Sequence, residues 1–187
     1  LLHLHEIMIS SVDYDSFLEK NYRKITGSEF MFGFDNNQNP RSQFSTADLR
    51  VLVCFLSTGP TRSVSSTYTA LDSLVHYKAG SRVFFDYSYF PASDGLELLK
   101  RASLPFLFGN VSHEPFFNYD LVMVSHSIFP EAFNLPFVLR ENSIPLTIEE
   151  RLPRTDIPII GYGGAAASEG SILWGKVSDK GHSLIDY

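Results

Sequence analysis

Asp120-Leu-Val-Met-Val-Ser125 sets four apolar residues in a row before a polar end. A strand with one wet face alternates apolar and polar residues. A parallel strand covered by helices on both faces reads as an unbroken apolar run, as here. Arg50-Val-Leu-Val-Cys-Phe-Leu56 has the same character upstream, and Arg82-Val-Phe-Phe-Asp-Tyr87 and Pro158-Ile-Ile160 read as two further strands. Helical stretches separate them. Ser65–Lys78 carries Tyr68, Leu71, Leu74 and Val75 at helical spacing and stops at Gly80. A short helix runs from about Asp94, an N-cap candidate, to Arg101, and a third spans Pro130 to Glu141. Strands alternating with helices imply right-handed βαβ units. The expected fold is therefore α/β: a doubly wound, mostly parallel, flavodoxin-like sheet of order 2-1-3-4-5, with 50–56 and 120–125 adjacent.

Residues 1–49 read differently from 50–187. Tyr14–Ile25 is an amphipathic stretch with Phe17, Leu18, Tyr22 and Ile25 at helical spacing, ending at Gly27, and Phe34–Gln43 is a polar, turn-rich linker. The first part is thus an N-terminal extension with a short helix and linker; the second is the α/β domain. A hydrophobic fraction of 44% and a charged fraction of 19% are ordinary for a globular chain. The net charge of −6 gives no general attraction to nucleic acid or to anionic lipid. No apolar run approaches the roughly 20 residues that span a bilayer. Cys54 is the single cysteine, which excludes an internal disulfide framework and a cysteine-ligated iron–sulfur site within the chain. These features favour the cytoplasm, and a first residue of Leu1 leads us to expect an upstream segment.

In a sheet of this kind, ligands bind where loops leave the C-terminal strand ends. Those loops are 57–62, 87–93, 125–129 and 161–167. Gly163-Gly164 suits either a tight turn or a close approach to a ligand. Ser125 and Ser127 are either helix caps or ligand contacts. His126 between them reads as an exposed or capping histidine, with an acid–base role as the alternative. Arg62 either meets a phosphate or is a solvated loop residue. Glu149, Glu150 and Arg151 read as a short helical end held by ion pairs, and His3-Leu-His5 has no further ligand at metal spacing. Phosphate-loop, nucleophile-elbow and zinc-protease motifs do not occur.

From Asp120 onward the order of segments resembles a known family. The segments are Asp120-Leu-Val-Met-Val-Ser-His-Ser127, Glu131-Ala-Phe-Asn134, Ser143-Ile-Pro-Leu146, Glu150-Arg151, Pro158-Ile-Ile-Gly-Tyr-Gly-Gly164 and Gly181-His-Ser-Leu-Ile-Asp-Tyr187. They look like the N-terminal cobalamin-binding-type domain of cobalamin-dependent radical S-adenosylmethionine proteins. The resemblance implies that a cobalamin is held by the loop after the first strand (Thr58, Gly59, Thr61, Arg62), a serine turn after the third (Ser125, Ser127) and Gly163-Gly164 after the fourth. The first loop departs from the histidine-ligating pattern Asp-x-His-x-x-Gly, because Ser57–Arg62 holds neither Asp nor His.

The resemblance further implies an accessory domain that positions a corrinoid against a catalytic part lying outside this chain. That part would carry the S-adenosylmethionine and a 4Fe-4S cluster. The family's last strand would begin near Tyr187, so the domain is expected to be C-terminally incomplete. The open sheet edge would then be covered by the downstream catalytic domain or a partner chain. Two rival readings stand beside this one. The first is a degenerate, non-catalytic interaction module of the same fold, and the second a stand-alone nucleotide- or flavin-binding α/β protein.

Overall fold

The central strand β1 (Leu49–Phe55) is flanked on both sides by parallel partners in a computed structural model. The structure describes residues 11–27, 40–58, 66–126, 129–164, 175–178, 181–182 and 184–186. Around β1 lie α1 (Ser11–Thr26), α2 (Ser66–Ala79), β2 (Val83–Tyr89), α3 (Ser93–Arg101), β3 (Leu121–Ser125), α4 (Asn134–Glu141), α5 (Ile148–Arg151) and β4 (Ile159–Gly163). A small antiparallel pair, β5 (Lys176–Ser178) and β6 (Gly181–His182), follows. The main sheet runs β2-β1-β3-β4 and is parallel throughout. Val51–Phe55 pairs in register with Leu121–Ser125, the expected adjacency.

Alternate residues of each strand feed two cores. Leu52, Cys54, Phe84, Val122, Val124 and Ile160 pack with Leu135, Val138 and Leu139 of α4. Val51, Val53, Phe55, Phe85 and Tyr87 pack on the opposite face with Tyr68 of α2. Helices on both faces of a four-stranded parallel sheet make the fold flavodoxin-like and doubly wound. A third cluster joins Leu18 and Ile25 of α1 to Leu99 of α3 and to Leu104, Phe106 and Phe108. Gly95 makes that packing close, because a Cβ there would meet the Cα and carbonyl of Ile25. The Ile25 carbonyl also accepts the Ala92 N–H at 2.8 Å.

Four local expectations need correction. The N-cap of α3 is Ala92, with no side-chain capping bond; Asp94 sits in the first turn instead, where its charge meets the helix dipole. On α2 the side turned to the sheet bears Tyr68 and Asp72, 1% and 4% exposed, whereas Leu71 and Leu74 stand 39% and 54% exposed. Tyr68 wins that face by lying against both Phe85 and Tyr87, with ring centroids 5.4 and 4.5 Å apart. The 130–141 stretch is a 3-10 turn (Phe129–Phe133) followed by α4. Pro136 has no N–H to return to residue 132, so a regular helix restarts at Asn134 with the proline in its first turn.

β4 also runs three residues beyond Ile160, through Gly163. Gly161 stays in the ladder opposite Met123, whose sulfur occupies the space a side chain would need. Beyond β4, Asp186 takes a strand-like place on its free edge. Its N–H donates to the Ile160 carbonyl and its carboxylate accepts the Ile160 N–H, both at 2.7 Å. Arg151 of α5, 3% exposed, clamps the same carboxylate at 2.8 and 3.0 Å, and Leu184 and Ile185 are buried beside it. Arg151 thus serves the structural role expected of it. No described helix is long and apolar enough to cross a membrane.

Candidate functional site

The topological switch lies between β1 and β3, where the chain passes from one half of the sheet to the other. A cavity of about 380 Å³ opens at the strand ends there. The end of β1 contributes Leu56, Ser57 and Thr58; the β2–α3 loop contributes Phe90, Pro91, Ser93 and Leu96. Pro130, Glu131 and Asn134 close the third side. The Asn134 amide nitrogen donates to the Leu56 carbonyl at 2.8 Å, tying α4 to the end of β1. Phe90 N–H reaches the Phe55 and Ser57 carbonyls at 2.8 and 3.2 Å, which ties the end of β2 there too. Glu131, 2% exposed, is the charged member of the lining.

Of the residues expected at a site, Thr58 lines this cavity. Gly59, Thr61, Arg62 and Ser127 lie outside the described residues. Ser125 closes β3 and pairs in register with Phe55 on one side and Gly163 on the other. Ser125, Gly163 and Gly164 therefore meet at the shared ends of β3 and β4, next along the same sheet edge from Thr58. The two glycines differ in their surroundings. A Cβ on Gly163 would touch nothing within 4 Å, so that position faces open space. Gly164 has φ +127° and lies against the His126 backbone, where a Cβ would meet its O, N and C atoms. The Gly164 requirement is thus internal to the chain.

His126 departs from the expected exposed or capping residue. It is 1% exposed, and its backbone N–H donates to the Gly163 carbonyl at 2.8 Å. Its Nδ1 shares a hydrogen bond with the Tyr162 hydroxyl, and its Nε2 finds no partner among the described residues. The sequence held no sign of the His126–Tyr162 pair, because 36 residues separate them and only the β3–β4 register brings them together. Glu131 and Asn134 were likewise unmarked as lining residues, since the cavity is assembled from three separate loops.

Beneath the loops lies a buried polar node. Asp86 of β2 is fully buried and accepts four hydrogen bonds, from Tyr87 N–H at 2.7 Å, Val111 N–H at 3.1 Å, Ser112 N–H at 3.0 Å and the Tyr119 hydroxyl at 2.8 Å. Burial pushes its carboxyl above the ordinary value, against the pull of those four donors. Gly109 closes the node, since a side chain there would meet the Tyr119 hydroxyl, the Asp86 carboxylate and the Ser112 hydroxyl. The node fixes the 109–112 loop on the β2 edge, and Asn110 N–H donates to the Tyr87 carbonyl at 2.9 Å. Cys54 is wholly buried in β1, and burial drives its thiol well above the ordinary range. No protein-family model, no curated protein and no solved structure matches this chain.

Proposed function

We propose that residues 50–187 are a ligand-holding domain of the cobalamin-binding type, placing a corrinoid at the C-terminal sheet edge for a catalytic partner. The observation that carries this reading is the strand order β2-β1-β3-β4. It aligns the ends of β1, β3 and β4 on one edge, beside the cavity at the switch point. The local residues fit a broad ligand at Gly163, where the missing Cβ opens onto free space. Thr58 and Ser125 offer hydroxyls to a polar periphery. A bound corrinoid would supply the organometallic chemistry, and Thr58, Ser125 and the opening at Gly163 would hold and orient it. Cys54 is the sole cysteine and is buried, so this reading assigns any iron–sulfur cluster and S-adenosylmethionine to that partner.

A second reading, an interaction module of the same fold that has lost its ligand, is favoured by one feature. The β1 loop has neither the Asp nor the His of the histidine-ligating pattern. One experiment separates the two. The protein in its full natural length is mixed with hydroxocobalamin, desalted, and examined by visible absorbance. Retained corrinoid in the wild type, lost in Gly163→Val with the circular dichroism unchanged, is the expected result. A well-folded wild-type protein that retains none overturns the corrinoid reading and leaves the interaction module as the better of these two.

A further inference from the structure

We infer that His126 is a ligand-contact residue at the shared ends of β3 and β4, its Nε2 meeting a carboxamide or hydroxyl group of the bound molecule. The inference rests on the ligand-holding reading above and adds the contact that the motifs did not mark. A polar side-chain atom buried without a partner costs about 1–3 kcal/mol, and such atoms are few in native structures. His126 is 1% exposed and its Nε2 has no partner among the described residues, while its backbone N–H bonds the carbonyl of Gly163, a position where a Cβ would meet nothing within 4 Å.

The ring cannot turn away to relieve the penalty. Its Nδ1 is held by the Tyr162 hydroxyl. Its backbone is fixed through the Gly163 carbonyl and the close approach of Gly164. The chemical class of the contact follows from the Tyr162 pairing. When Tyr162 donates to Nδ1, Nε2 carries the proton and donates; when Nδ1 donates to Tyr162, Nε2 accepts. A carboxamide or a hydroxyl answers either state, because each contains both a donor and an acceptor.

The test uses the full-length protein, hydroxocobalamin as probe, and the pair His126→Phe and His126→Gln. Phe keeps a flat ring and removes both nitrogens, while Gln restores a polar end. In the free protein a ligand-contact role predicts that, in a Tyr162→Phe background where the Nδ1 bond is already gone, adding His126→Phe raises the melting temperature by about 2–4 °C, the equivalent of about 1 kcal/mol at this chain length. A structural role predicts a lower melting temperature. With the probe, Phe should weaken retention at least tenfold and Gln should recover part of it. The ring-nitrogen resonances of wild-type His126 should also shift on binding.

Equal retention in wild type and His126→Phe, with unmoved ring resonances, overturns the inference and leaves the ligand-holding reading intact. If the wild type retains no corrinoid, that reading fails by itself. The melting temperature then decides for His126. A rise keeps it as the contact for another carboxamide- or hydroxyl-bearing ligand, and a fall removes it.

Discussion

Gly163 and Gly164 are adjacent and chemically identical, yet their replacement should have opposite consequences. Gly163→Ala adds a methyl to empty space and should change stability by no more than about 0.5 kcal/mol. Gly164→Ala demands a left-handed backbone and drives its Cβ into the His126 main chain, so a loss of about 2–4 kcal/mol is expected. Urea unfolding of the two variants measures both. Asp86 gives the second residue-scale prediction. Replacing it with Asn turns one end of the carboxylate into a donor facing donors, which should cost about 2–3 kcal/mol. Its pH dependence has a definite sign. The folded carboxyl is raised above its ordinary value of 3.8, so the folded state holds the proton more tightly. That stabilisation is fully present below the ordinary value and is lost as pH rises through the folded one. The carboxyl-carbon resonance of Asp86 should therefore titrate above 3.8, and a midpoint below it would mean that the four donors outweigh burial.

Elements were legible where periodicity was backed by packing and obscure where a neighbour overrode it. The apolar runs at 50–56 and 120–125 marked buried parallel strands, because nothing competes with burial on both faces. The helical spacing of Leu71 and Leu74 was genuine but turned outward, since the stacking of Tyr68 on the β2 aromatics decided the rotation of α2. The glycines of β4 looked like a turn, but ladder pairing with β3 and the fit of Met123 kept them in the strand. Among the expected site residues, Thr58, Ser125 and Gly163 lie along the C-terminal ends of the strands because strand order alone puts them there. His126 was legible only as a residue type, since its burial depends on Tyr162 from another strand. The α1–α3 contact supplies a test at this scale. Gly to Ala in an open helix stabilises by about 1 kcal/mol. At Gly95 the added methyl meets the Ile25 backbone, so the sign should reverse. Gly95→Ala should lower stability and speed amide hydrogen exchange across 11–27, and a gain in stability would mean that α1 packs elsewhere.

At the scale of the whole molecule, the chain is a four-stranded sheet with a core on each face and a cavity at its C-terminal strand ends, and the same central strand serves all three. β1 contributes to both cores, pairs with β2 and β3, and ends in the cavity wall. Cys54 lies at the middle of that arrangement with 0% exposure, and it is the chain's sole thiol. It is therefore a built-in clock. A small disulfide reagent added to native protein can reach this sulfur only when the central strand comes apart, so each labelled molecule records one opening. Labelling in native buffer should run at least about a thousandfold slower than in urea-unfolded protein, as expected for a domain held by about 5 kcal/mol or more. A ligand that binds the strand ends should slow the clock further, in proportion to its occupancy. The reading is one absorbance trace, with no engineered label to disturb the fold.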